Sequence, residues 1–204
     1  MEYWHDIITE KSWKVLQDIK ERFEFIVIGG WAAYLWTRAM KSKDIDMIID
    51  IEQLEHLRAD YELKKNDNLK NYEIKIDEVD IDIYVPYYSR LPIPAEEIKK
   101  HISRIEGFTV PKPEVLLILK QDAEKDRSES EKGLKDRIDI MSILLTCGID
   151  FKNYMELIKR YGKGDFYDRL KGIIANFKEH SYLNLTPGEF KKRKEEIIKR
   201  MRGI

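Results

Sequence analysis

Along the first half of the chain the apolar positions change period several times, and each change marks an element. Residues 4–22 place Ile7, Ile8, Trp13, Leu16 and Ile19 at near-helical spacing, which predicts an amphipathic helix. Phe25 to Ile28 is a continuous aromatic and β-branched run, the pattern of an interior strand, and Gly29-Gly30 ends it. A short helix over residues 31–36 follows, with Trp31, Tyr34 and Trp36 read mainly as core. Asp44-Ile45-Asp46 opens a second apolar run through Ile49. Side chains alternate along a strand, so Asp44 and Asp46 share one face while Ile45 and Met47 take the other. Residues 51–65 carry Ile51, Leu54, Leu57 and Tyr61 on one helical stripe, and residues 66–71 read as a polar turn. Tyr72 to Val85 alternates over a long span, but its apolar face changes side near Asp77. That switch predicts two strands joined by a tight turn at Asp77-Glu78, stopped by Pro86.

The second half is punctuated differently. Residues 87–94 form a Pro-containing connector and the expected domain boundary: an α+β domain over 1–94, a mainly helical one over 95–204. Residues 95–103 read as a short helix, and 106–110 as a turn with an edge strand before Pro111. A helical pattern starts at Glu114, and the charged stretch 124–139 reads as a largely solvated loop. A helix through Ile138–Leu145 ends near Cys147-Gly148. Residues 150–178 make one or two helices broken at Gly162-Lys163-Gly164. Thr186 is placed to cap a last, locally basic helix with Pro187 at its first position.

Composition narrows the function. Among 204 residues, 43% are hydrophobic, enough for a real core, and 37% are charged, a balance met in thermophile proteins. The net charge of −1 gives no global basic field for nucleic acid. The single Cys147 excludes an intramolecular disulfide and a cysteine-rich zinc site. No apolar run approaches 20 residues, so a soluble cytoplasmic protein without a membrane partner is expected.

The candidate chemistry lies between the two early strands. Asp44 and Asp46, side by side at the edge of an apolar strand, repel each other, and a divalent metal is the simplest offset. A third acid is available on the later strand, where Asp80 and Asp82 face the same way. Strand, Gly29-Gly30, helix and Asp-x-Asp in this order resemble the nucleotidyltransferase superfamily built like the palm of DNA polymerase β. The resemblance implies an α+β fold: a mixed sheet flanked by helices, then a C-terminal helical bundle. It also implies transfer of a nucleoside monophosphate from an NTP with two Mg²⁺ ions. Asp44, Asp46 and Asp82 would be the catalytic, metal-holding acids, with Asp80 in reserve. Gly29, Gly30, Ser42 and Lys43 would meet the nucleotide, joined by Lys41. Relatives often carry Arg four residues before the first acid; this chain has Met40 there, with Arg38 as a substitute.

The later segments PEVLLILKQDA and KGLKDRIDIMSIL resemble AbiEii-like, toxin-type members of the superfamily. Lys120 and Ala123 fall on one motif, and Lys132 or Lys135 with Asp136 and Asp139 on the next. By that resemblance Lys120 contacts a nucleotide phosphate and Asp136 arranges the site; the alternative is an ion pair between Lys120 and Asp136. The acceptor would be tRNA, another RNA or a protein, with an antitoxin as partner. Two other readings stand beside this one. An idle relative would serve as a binding module, with the basic last helix tracking a phosphate backbone. A modifier of small molecules, antibiotic-type, would call for an acidic acceptor pocket.

Overall fold

The computed structural model describes residues 2–203. A mixed seven-stranded sheet forms its centre, in the order β3 (Lys64–Asn66), β4 (Asn71–Ile76), β5 (Val79–Tyr84), β2 (Ile45–Ile48), β1 (Ile26–Ile28), β7 (Phe108–Pro111) and β6 (Ile102–Ile105). Helices α1 (Glu2–Lys20), α2 (Gly29–Thr37), α3 (Ile51–Asp60) and α4 (Ala95–Ile98) belong to the first half. Then come α5 (Pro113–Arg127), α6 (Glu131–Thr146), α7 (Phe151–Arg160), α8 (Phe166–Asn176) and α9 (Pro187–Arg202). This is the α+β architecture expected, a mixed sheet with helices and a helical C-terminal region.

The predicted hairpin is present. Asp77, at φ 53, and Glu78 turn the chain between β4 and β5, which pair antiparallel with Ile76 opposite Val79. The switch of apolar face follows from that turn. Strand β2 runs antiparallel to β1 and parallel to β5; β1 and β2 are short and largely buried on both faces, while β5 keeps one polar face. Val27, Met47 and Ile83 are fully buried there, and Trp31 beside them donates its Nε1 hydrogen to Ser12 Oγ at 2.8 Å.

Three expectations are corrected. The sheet does not end before residue 94: β6 and β7 follow the connector, and β7 joins β1 in parallel at Ile26 and Thr109. Phe108 and Val110 are buried by this pairing, so residues 102–111 complete the sheet that the earlier strands begin. The helix over 51–65 stops at Asp60, and residues 64–66 form the edge strand β3. Lysines on such an edge oppose further pairing, which disguises the strand as a polar loop.

The third concerns the charged stretch, which is helical apart from residues 128–130. Two residues make that possible. Ser130 caps α6 by accepting a hydrogen bond from the Gly133 amide at 3.1 Å. A Cβ on Gly133 would overlap the carbonyl of Arg127, so only glycine lets α5 and α6 close into a tight hairpin. Thr186 caps α9 as expected, within a full capping box completed by Glu189.

Gly133→Ala should therefore lower the unfolding free energy by about 1–3 kcal/mol through the forced overlap. Gly172→Ala, in open space inside α8, should raise it by about 0.5–1 kcal/mol. Urea denaturation of the two variants checks both signs.

Candidate active site

The site is built on the corner where β1 becomes α2. Gly29 adopts φ +64, a conformation that favours glycine, and Gly29 and Gly30 are the first residues of the helix. No side chain caps this helix end and its first turn holds no acid, so its amides and the positive end of the helix dipole are available to an anion. Pairing of Ile28 with Asp46 sets the Asp46 side chain beside the corner. A Cβ on Gly29 would overlap the Asp46 carboxylate. A Cβ on Gly30 would lie 2.5 Å from Ser42 Oγ and 2.9 Å from Lys135 Nζ. The glycines thus make room for the chain's own side chains, where the sequence suggested room for a phosphate alone. Lys135 donates to Ser42 Oγ at 2.9 Å, which puts an ammonium group next to the helix start.

The acids sit on the other side of Gly29. In the parallel pairing of β2 with β5, Asp46 lies opposite Asp82. Asp82 Oδ1 accepts from Asn71 Nδ2 at 2.8 Å. Burial, then the Asp46, Glu73 and Asp44 carboxylates, push Asp82 up to about 7, against the Asn71 hydrogen bond. Asp46 keeps part of its surface open, yet its carboxylate is walled in by protein, and that burial raises it. Lys120 opposes the rise, Asp44 adds to it, and Lys135 and Arg127 oppose it further. Asp44 is half-buried and forms an ion pair with Lys132, Oδ2 to Nζ at 3.1 Å. Asp80 is exposed and pairs across the hairpin with Lys75 at 3.0 Å, an ordinary surface contact. Of the two candidates for the third acid, the register brings Asp82 to Asp46.

Under this corner lies a buried ionic cluster from the α5–α6 hairpin. Lys120, 5% exposed, is 2.6 Å from Asp139 Oδ2 and 3.1 Å from Asp136 Oδ1. Burial alone would lower the Lys120 pKa, but Asp139 and Asp136 hold it above its ordinary value. Arg127 Nε donates to Asp136 Oδ2 at 2.7 Å. Lys120 and Asp136 are therefore committed to each other, the alternative weighed from sequence, and Lys120 is not turned toward a phosphate. Lys135 is the cation beside the glycines, and burial followed by the repulsion of Lys120 lowers its pKa. Lys43 is exposed, Lys41 is paired with Glu10, and Arg38 with Glu106, so Arg38 does not stand in for the residue missing at Met40. Sequence reasoning missed Asn71 and Arg127. The first lay in a segment read as a turn, and the second in one read as a solvated loop.

The fold is that of known structures. ANT(2'')-Ia, crystallised with adenylyl-2''-tobramycin, is 16% identical over 76% of this chain and 96% of its own, with a TM-score of 0.52. The solution structure of ANT(2'')-Ia, described as an antibiotic-resistance factor, is 15% identical over 89% of this chain and 100% of its own, with a TM-score of 0.51. This chain has the nucleotidyltransferase fold. JHP933 from Helicobacter pylori is 14% identical over 98% of the chain and 92% of its own, at a TM-score of 0.48. No protein-family model matches the sequence, and no curated protein matches it at the significance required.

On this nucleotidyltransferase fold the donor set suits a hard divalent cation. Asp44, Asp46 and Asp82 offer only carboxylate oxygens, the ligand type Mg²⁺ takes. Burial and mutual repulsion raise Asp46 and Asp82, while Lys120, Lys135 and Arg127 oppose the rise at Asp46. Among the described residues, no three His, Cys, Asp or Glu side chains are arranged as they stand to hold an ion. Lys132 meanwhile supplies one positive charge to Asp44.

The shift of Asp82 has a definite sign. Between its unfolded value near 3.8 and its folded value of about 7, the native state binds the extra proton, so stability falls as pH rises through that window. In EDTA, Asp82→Asn should gain stability over the wild type as pH goes from about 4.5 to about 8. The gain should be on the order of 1–2 kcal/mol once solvent screening is allowed for. Urea unfolding at several pH values measures it.

Proposed function

We propose that the protein moves a nucleoside monophosphate from an NTP to a hydroxyl acceptor, with Mg²⁺. One observation carries this reading: Asp46 is seated against Gly29 at an uncapped helix start, in register with Asp82, with Ser42 and Lys135 at Gly30. The triphosphate is supported by the α2 amides, Ser42 Oγ and Lys135 Nζ, a backbone-and-ammonium cradle suited to a polyanion. Lys132 and Lys43 lie toward solvent on the same approach. Asp44, Asp46 and Asp82 would hold the two metal ions, which neutralise phosphate charge and make a hydroxyl easier to deprotonate. Asp82 is fixed through Oδ1 by Asn71, and a carboxylate there would take the hydroxyl proton. The acceptor oxygen bonds to the α-phosphorus, the bond from that phosphorus to the pyrophosphate oxygen breaks, and pyrophosphate leaves. The buried Lys120–Asp136–Asp139 cluster holds the hairpin that delivers Lys135.

The AbiEii-like motifs support an RNA or protein acceptor and a toxin paired with an antitoxin. Against that, ANT(2'')-Ia is captured with an adenylylated small molecule, which supports a small acceptor. The retention of Asp44 and Asp46 argues against an idle binding module. Incubation with each labelled NTP, Mg²⁺ and total RNA, soluble protein or small hydroxyl compounds tests the reading. Wild type should transfer label, and Asp46→Asn should lose it by about 10²-fold or more. Label on RNA or protein selects the toxin-type acceptor. Nucleotide binding without transfer to any acceptor would select the idle module.

A further inference from the structure

The last two helices enclose a cavity that the glycine corner does not use. Helix α8 ends at Asn176, and the chain returns through a short 3₁₀ turn, His180–Leu183, to the capping box that starts α9. Between turn and helix lies a cavity of about 500 Å³, a volume that suits a small organic ligand. Its walls are apolar: Phe177 and Phe190, with ring centroids 5.8 Å apart, then Pro187 and Ile198. Pro187, Lys191, Lys194 and Ile198 recur at three- and four-residue intervals, so one stripe of α9 faces the cavity. The returning segment is held in shape, because His180 Nδ1 lies 3.0 Å from the Leu185 carbonyl oxygen and Glu189 completes the box at Thr186. The space is formed before any ligand enters.

The rim of this cavity is cationic. Lys178, Lys191 and Lys194 line it against the single carboxylate of Glu195. Elsewhere on these helices a lysine is answered by an acid, as Lys171 is by Asp168 at 2.8 Å. Among the described residues, none of the three rim lysines has such a partner. Lys194 is the most enclosed of them. Its Nζ donates to the Ala175 carbonyl at 2.8 Å and stands 5.4 Å from the centre of the Phe190 ring. Burial lowers its pKa, with no carboxylate to offset the loss of water. An ammonium group has three N–H donors, which leaves two on Lys194 for a ligand.

We propose that this cavity binds a small apolar anion, a hydrocarbon chain or ring system ending in one carboxylate. The apolar body lies on Phe177, Phe190, Pro187 and Ile198, and the carboxylate meets the ammonium groups of the rim. A nucleic-acid strand would match the rim but leave the apolar walls uncovered, and a cationic amphiphile would set like charges together. None of the lining residues belongs to the glycine corner, so the site stands apart from the nucleotidyl-transfer reading and does not rest on it.

Calorimetric titration of the full chain with decanoate, acetate, decyltrimethylammonium and a short RNA tests the proposal. Decanoate should saturate one site per chain and move the methyl resonances of Ile198. It should bind about tenfold or more tightly than acetate or decyltrimethylammonium. The Lys191→Met/Lys194→Met double variant keeps the apolar stems but removes two charges, and should weaken decanoate by about tenfold or more. Its thermal midpoint without ligand is the folding control. Should it fail to fold, Lys178→Met/Lys191→Met, confined to exposed side chains, takes its place with the same expected loss. Equal binding of the two decyl probes would overturn the proposal, as would decanoate affinity that survives in the folded variant. Absence of decanoate binding also sinks it, and RNA binding lost in the variant would then assign the lysines to a phosphate backbone.

Discussion

The seating of one carboxylate on one glycine organises this molecule. Asp46 occupies the space a side chain at position 29 would need, so the strand end, the helix start and the acid are fixed together. The contact is possible because β1 and β2 pair with Ile28 opposite Asp46, and because Gly29 turns through a positive φ. Shifting either strand by one residue would turn Asp46 into the core and leave an apolar side chain at the corner. The parallel pairing of β2 with β5 then delivers Asp82 without any further device.

Around that contact the electrostatics are layered. A buried lysine between two buried aspartates stabilises little on its own account, since desolvation offsets most of the attraction. Its effect is positional. Loss of one partner would leave a buried charge uncompensated, so the α5–α6 hairpin is held in one arrangement, with Lys135 at Ser42 and Lys132 at Asp44. Lys120 also acts through space on Asp46, opposing the rise that burial imposes. The hairpin therefore contributes to the corner twice, by contact and by field.

Much of this was legible in the chain, for physical reasons. Alternation in β4 and β5, and its reversal at Asp77, follows from strands with one polar face, so the hairpin and the facing of Asp82 could be read directly. The runs Phe25–Ile28 and Ile45–Ile49 read as strands because both their faces are buried. Strand β3 could not be read, because an edge strand of Lys64, Lys65 and Asn66 carries no apolar signal. The membership of β6 and β7 in the sheet is a matter of topology that local pattern does not encode. Asn71 and Arg127 escaped notice because their partners, Asp82 and Asp136, sit on the facing element of a hairpin, and only the strand register and the helix packing bring them together. The choice between Asp80 and Asp82 needed the register, since parity alone makes them equivalent.

The outermost strand gives the site an unequal stiffness. Strand β3 is held by a ladder of three residue pairs and has solvent beyond it, while the glycine corner is enclosed by β1, β2, α2 and α6. Elements with few buried contacts open at lower cost than those inside a core. The wall nearest Lys64 is thus compliant and the glycine corner rigid. Fluctuation of the outer edge therefore widens or narrows the groove beside Asp82 without unseating Asp46 from Gly29.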